Sequence, residues 1–293
     1  MKKLLRIFKK STRTAKFGLI IVFLWVFCAI FAPFLAPYGP DEGDITQRLK
    51  EPAFVTVLKG EELEPDAPLH ILGTDEMGRD VLTRIIYGSR ISLIVGIMAV
   101  CISLAIGTAL GLIAGYWGGW VDSVIMRIVD VMLAFPFMFM ALCFMAVLGP
   151  SLSNVVLVLG ITGWVPYTRN VRAQVLSLRT REFVVAAEVA GASKLRVLLR
   201  HILPNVLDST IVLGTLEMAS AILSESSLTF LGMGIPPTIP SWGQMVSIGR
   251  DYIYNAWWLS TFGGLAIFIV CLSINFVGDW IRDVRDPRLR GVQ

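Results

Sequence analysis

An all-α integral membrane protein with six transmembrane helices is the fold class that the sequence predicts, and three features predict it. Hydrophobic residues make up 55% of the 293-residue chain and charged residues only 16%, against about 25% charged in soluble domains. The mean hydropathy is +0.70. The charges are also clustered, and the uncharged runs between them reach about 20 residues, the length that crosses a ~30 Å hydrocarbon core.

The elements follow in chain order. Residues 1–16, "MKKLLRIFKKSTRTAK", carry seven Lys or Arg and no acid and read as a basic tail. The apolar run at 17–37 is longer than a signal-peptide core and has no clean small-x-small cleavage site, so it reads as a retained first span. Residues 38–90 are polar, Pro-containing and mixed in charge, an extracytoplasmic loop. A five-helix core fills 91–281. Its first helix, at 91–116, carries Gly107-x-x-x-Gly111-x-x-x-Gly115, a spacing that lets helices approach closely. The third span (124–148) contains Pro136, and the fourth (153–176) is interrupted by Gly160, Gly163 and Pro166. The fifth (206–231) and sixth (257–278) flank an outer loop at 232–256. Residues 282–293 form a closing tail.

The basic residues orient this path. Seven lie in the first 16 residues, one at Arg127, seven between Arg169 and Arg200, and four in the closing tail. On the other side are six in 37–90 and Arg250. The positive-inside rule then puts both termini and the 178–205 loop in the cytoplasm of a multi-pass inner-membrane protein.

That loop contains "VVAAEVAGASKLRVLLRHILPN" (184–205). Two short helices fit it. One, at 180–190, has a small-residue face, and the other, at 193–203, sets an apolar stripe against Lys194, Arg196 and Arg200. Gly191 supplies the permissive backbone between them. Pro204 is expected to end the second helix. Pattern alone leaves two readings open, and it favours a helix lying on the membrane surface over a docking surface for a partner.

The segment resembles the EAA loop of ABC-transporter permeases, E-A-A-x-x-x-G followed nine residues later by I-x-L-P. Val185-Ala186-Ala187, Gly191 and Leu203-Pro204 carry the match, with Val185 where the family has Glu and His201 where it has Ile. "LGTDEMGRDVLTRIIYGSRISL" (72–93), "SESSLTFLGMGIPPTIPSWGQM" (224–245) and "GDWIRDVRDPRLRG" (278–291) resemble the dipeptide/oligopeptide/nickel branch. The resemblance implies a MetI-like importer permease for peptides or a related small solute. It makes Ala186, Ala187, Glu188, Gly191, Ala192, Ser193, Leu203 and Pro204 the ATPase-coupling residues. It implies two ATPase subunits, a second permease subunit and an extracytoplasmic binding protein as partners, with ATP and Mg held by the ATPases. The residues themselves agree on one point. A P-loop needs Gly-Lys-Ser/Thr, and no lysine here follows a glycine, so this chain holds no such nucleotide site.

Glu217 and Glu225 fall within the fifth span. Intramembrane acids are costly and often mark a pathway, so both are candidates to border the translocation path; the bland alternative is a protonated or Arg-paired structural acid. Asp75, Arg79 and Asp80 read as a solvated turn, or as a contact for a partner. Trp242, Trp257 and Trp258 suit a membrane interface. Cys28, Cys101, Cys143 and Cys271 read as small hydrophobes, and with only His70 and His201 there is no metal cluster. An ion-driven transporter acting alone is the alternative function, although no internal repeat is visible. A membrane enzyme would need a catalytic cluster, and neither H-E-x-x-H nor G-x-S-x-G occurs.

Overall fold

The structure is a computed structural model that describes residues 12–60, 62 and 68–285. Most of the basic tail and of the closing tail lies outside the described residues. The helices are α1 (Arg13–Leu35), α2 (Ala53–Leu58), α3 (Val81–Trp117), α4 (Gly119–Ala134), α5 (Phe137–Leu148), α6 (Leu152–Thr162), α7 (Val165–Leu178), α8 (Glu182–Val189), α9 (Lys194–Phe230), α10 (Trp242–Asp251) and α11 (Trp257–Arg285). Only isolated bridges, no strands, occur among the described residues.

Four of these helices (α1, α3, α9 and α11) are long and apolar enough to cross a membrane, or five spans if the bent pair α4–α5 counts as one. The six expected spans thus resolve into four long rods, one bent pair and one broken pair. The bend between α4 and α5 is 89°. Phe135 is extended there (φ −100°, ψ 136°), as the residue before a proline prefers. The expected fourth span is α6 and α7, broken at Gly163, with Pro166 in the first turn of α7, where its missing N–H costs nothing.

Two boundaries differ from the sequence expectation. α3 starts at Val81, ten residues before the apolar run, because Asp80 caps it: Thr83 N donates to Asp80 Oδ2 at 2.7 Å. Apolarity marks the lipid-embedded length, while the cap sets the start. Pro204 does not end a helix either. The chain from Lys194 runs on into α9 through a π-helical stretch, Val197–Ile202, and Pro204 sits in the first turn after it. The wider i→i+5 turn absorbs the residue that would break a regular ladder.

α3 is the central post. α1, α6, α7 and α9 all pack along it, and α11 closes the far side against α9, α1 and α10. The tightest seam joins α3 to α7. A Cβ at Gly107 would lie 2.5 Å from Trp164 O, one at Gly111 2.7 Å from Val171 Cβ, and one at Gly115 2.7 Å from Val175 Cβ. Thr168 Oγ1 also donates to Gly107 O at 3.1 Å, so a side chain bonds directly to the α3 backbone. Large residues such as Phe34, Phe139 and Phe268 are exposed on the outer surface, as a lipid-facing exterior requires.

At the end away from α8, residues 68–80 are tied down by buried polar bonds. Asp75 accepts from Met77 N (2.8 Å) and Arg79 N (2.9 Å), and pairs with Arg79 Nε (2.7 Å) and Arg84 Nε (3.5 Å). His70 Nδ1 pairs with Asp80 Oδ1 at 2.9 Å. This turn is buried rather than solvated. Trp242 and Trp258 are buried as well, donating to Ile85 O (2.9 Å) and Thr74 O (3.1 Å), whereas Trp257 is exposed. Each indole hydrogen ties one helix to another segment, so two of the three expected interface tryptophans are struts. The expected outer loop at 232–256 holds the packed helix α10, capped by Ser241, which accepts from Gln244 N at 3.2 Å. The four cysteines are unpaired, and Cys101 and Cys143 are exposed on the chain's surface.

Gly111→Leu should force α3 and α7 apart, because a Cβ there meets the Thr168 carbonyl at 2.8 Å as well as Val171. The expected loss is about 1–3 kcal/mol, read as a lower melting temperature in detergent, with Gly111→Ala milder.

Candidate functional site

Two features stand apart from the packing of the bundle: a small helix held at one end and a largely apolar cavity in the middle that carries a few polar groups. The small helix is α8. Of its residues only Val184 is fully buried, seated among Leu112, Val171, Val175, Val197 and Ile202. That cluster joins α3, α7 and the start of α9, so α8 is mounted on all three. A second tie is polar: Tyr116 Oη donates to Glu188 Oε1 at 2.8 Å, at the end of α3. Beside it, Arg179 Nη1 reaches Gly115 O at 3.4 Å, and Arg172 holds Asp122 through both carboxylate oxygens, at 2.5 Å for Nη2–Oδ2.

The end of α8 explains Gly191. The Ala192 N–H bonds Ala187 O and the Gly191 N–H bonds Glu188 O, both at 3.0 Å. This is the double closure that needs a left-handed residue just past the helix, and Gly191 has φ +82°. A Cβ at Gly191 has no neighbour within 4 Å among the described residues. Ser193 then caps the next helix, accepting from Arg196 N at 3.4 Å.

The coupling residues expected from sequence divide by exposure. Ala186, Glu188, Gly191, Ser193 and Pro204 are exposed, while Ala187, Ala192 and Leu203 are half-buried against the Val184 cluster. Phe183, Val185 and Val189 are exposed too, Val189 by 84%. The exposed face of α8 therefore mixes small residues with the larger apolar Phe183, Val185 and Val189, rimmed by exposed Arg181, Lys194, Arg196 and Arg200. Glu188 already has a partner in Tyr116, so it does not replace the acid missing at 185.

The cavity measures about 470 Å³. It lies where α3, α7 and α9 meet the bend between α4 and α5. Its polar lining is Ser103, Thr162, Tyr167, Glu217, Ser220 and Ser224; its apolar wall includes Met132, Phe135 and Phe137. Glu217 is half-buried there. Tyr167 is 1% exposed, and its hydroxyl has no hydrogen-bond partner.

Glu225 lies elsewhere. It is fully buried and does not line this cavity. Thr229 Oγ1 donates to its Oε1 at 2.9 Å and Ser226 Oγ approaches its Oε2 at 3.3 Å; Thr229 Oγ1 in turn accepts from Ile235 N at 3.1 Å. The side chain thus ties the turn after α9 to the last turns of that helix. The structure does not bring the two acids together, although both were candidates for one path.

Sequence reasoning passed over Tyr116, Tyr167, Asp122 and Arg172. A lone tyrosine in an apolar span is a readable signal for Tyr167. The Asp122–Arg172 pair joins residues fifty positions apart and carries no local signal. For α10, "SWGQ" (241–244) is a capping-box pattern. Among the described residues no group of three or more His, Cys, Asp or Glu is placed to hold a metal.

Comparisons with known proteins place this architecture. Residues 107–291 match the family described as binding-protein-dependent transport system inner membrane component. Residues 1–52 match the N-terminal TM domain of oligopeptide transport permease C. The chain is 42% identical over 273 residues to the di/tripeptide transport system permease protein DppC of Pseudomonas aeruginosa, covering 93% of this chain and 88% of that protein. It is 44% identical over 281 residues to the dipeptide transport system permease protein DppC of Escherichia coli, covering 96% and 91%. An inward-facing structure of the MetNI methionine ABC transporter aligns with a TM-score of 0.56 at 18% identity, over 69% of this chain and 97% of that one; that likeness shows the fold, the MetI-like one. The chain belongs to the binding-protein-dependent transport system inner membrane components. It is the membrane-spanning permease part of an ABC transporter, a non-catalytic component, and the ion-driven alternative finds no support among these relatives.

Val184→Asp should unseat α8 by placing a charge inside its only buried contact. The expected result is local opening: trypsin cleavage at Arg181 and Lys194 rises at least about tenfold, the factor that 1.4 kcal/mol gives, while the rest of the bundle resists.

Proposed function

We propose that this chain is the permease of an ATP-driven importer of short peptides, and that α8 is where the ATPase engages it. The observation that carries this is the mounting of α8. One face is fixed to α3, α7 and α9 through Val184 and Glu188, while the other presents Ala186, Ala190 and Gly191 with room for a close partner.

The partners follow from the same reading. Two ATPase subunits hold ATP and Mg, this chain holding neither. A second permease subunit completes the pathway, and an extracytoplasmic binding protein delivers the substrate. Both termini and α8 face the cytoplasm, as the distribution of Lys and Arg supports. Peptide as substrate is supported by the names of the relatives in Pseudomonas aeruginosa and Escherichia coli.

Mechanically, closing of the ATPases moves α8. Its ties to α3 and to the first turns of α9 pass that movement to the two helices that carry the central cavity. The cavity then changes its access, with Glu217 bordering the path and Glu225 holding the outer turn of α9. Ala187, Ala192, Ser193, Leu203 and Pro204 keep α8 seated and shape its exit.

Purification through this chain should bring down a nucleotide-binding subunit. Gly191→Trp should abolish that association and leave membrane insertion intact, because a Cβ there has no neighbour within 4 Å among the described residues and the left-handed turn that closes α8 disfavours a side chain. Unchanged association of the variant would refute the docking assignment.

A further inference from the structure

Two of the five hydroxyls that line the central cavity have committed their hydrogens. Ser103 Oγ donates to Gly160 O at 2.9 Å, and Thr162 Oγ1 donates to Val158 O at 2.6 Å. Each hydroxyl has spent its one hydrogen on the backbone, so each offers a ligand only lone pairs. Glu217 adds carboxylate oxygens, for which no hydrogen bond or ion pair is found among the described residues. Among the described residues no Lys, Arg or His lines the cavity. Even a half-buried carboxylate without a counter-charge is costly, and that acid, together with the two acceptor-only hydroxyls, is satisfied by a ligand that brings positive charge and several N–H donors.

The opposite wall narrows the ligand's class. Met132, Phe135 and Phe137 come from the two sides of the α4–α5 bend and are apolar. Tyr167 stands among the polar residues with a buried hydroxyl that has no partner. A phenol can accept from an ammonium group or donate to a carbonyl or carboxylate. The cavity, at about 470 Å³, falls in the ~300–1,000 Å³ range of small-molecule sites.

We infer that this cavity is a transient binding site for the α-ammonium end of the transported peptide, with Glu217 as its counter-ion and Tyr167, Ser103 and Thr162 as neutral hydrogen-bonding partners. The inference rests on the importer reading and adds to it the chemical group that the permease itself recognises. An ammonium group suits a waypoint because it draws two or three hydrogen bonds from acceptors already in place. The exposed edge of the site, at Ser220, leaves a way out.

Two measurements test it. In a background with Cys28, Cys101, Cys143 and Cys271 replaced by Ala, Ser220→Cys and Ser224→Cys are treated in the purified transporter with methanethiosulfonates of similar size, one bearing trimethylammonium and one bearing sulfonate. The ratio of cationic to anionic reaction rates reports the local potential. Glu217→Gln should lower that ratio about tenfold, the lower end of what focused charge does in a cleft; an unchanged ratio at both positions would overturn the inference. In proteoliposomes, uptake of alanyl-alanine, whose only cation is its α-ammonium, should fall at least about fivefold with Glu217→Gln and return with Glu217→Asp. Wild-type uptake by Glu217→Gln would equally overturn it. If the wild-type chain purifies without an ATPase, the importer reading fails instead, and the thiol ratio still decides the cavity's charge.

Discussion

The close seam between α3 and α7 is the constraint on which the rest of the molecule depends. Three glycines at four-residue intervals present one bare stripe of α3, and the backbone of α7 lies against it. In a bilayer there is little hydrophobic drive to bring helices together, so packing contact and side chain–backbone bonds such as Thr168–Gly107 must do it. Trp164 and Tyr167 are placed by the upper part of the seam and Val171 and Val175 by the lower part. Of the first pair, Tyr167 lines the central cavity. The second pair, with Val184, seats α8. One stripe of glycine therefore sets both features at a fixed separation along the same two helices.

α9 performs the complementary task. It starts beside α8 at Lys194, crosses the bundle, and ends in the turn held by Glu225 and Thr229. The π-helical stretch before Pro204 keeps it continuous where a proline would otherwise divide it. A continuous rod carries a displacement along its length better than two helices joined by a loop. The polar knot around Asp75 and Asp80 and the struts from Trp242 and Trp258 brace the opposite end of the bundle. The bent pair α4–α5 is the more lightly packed wall of the cavity.

The departure at position 185 gains a physical meaning from this geometry. Val185 is exposed on α8 and Glu188 is occupied by Tyr116. The outer face of α8 consequently carries no free acid beyond Glu182 at its start, and its chemistry is apolar contact within a basic rim.

The sequence by itself determined the class of the protein, the long spans, the glycine stripe and the position of the loop between spans four and five. These are local properties: apolar length, small-residue spacing and charge count are written in consecutive residues. The resemblance in residues 184–205 supplied the coupling residues as an expectation, and the turn at Gly191 was readable because its left-handed backbone is a one-residue requirement. Only the tertiary structure decided which tryptophans are struts, that Asp75 is buried, that Pro204 lies inside a continuous helix, and that Glu217 and Glu225 part company. Eight residues apart on one helix, those two acids look alike in sequence. What separates them is what packs opposite: hydroxyls and an open cavity around Glu217, but for Glu225 its own helix and the turn that follows. Burial and partnership are set by neighbours distant in the chain, and no local pattern records them.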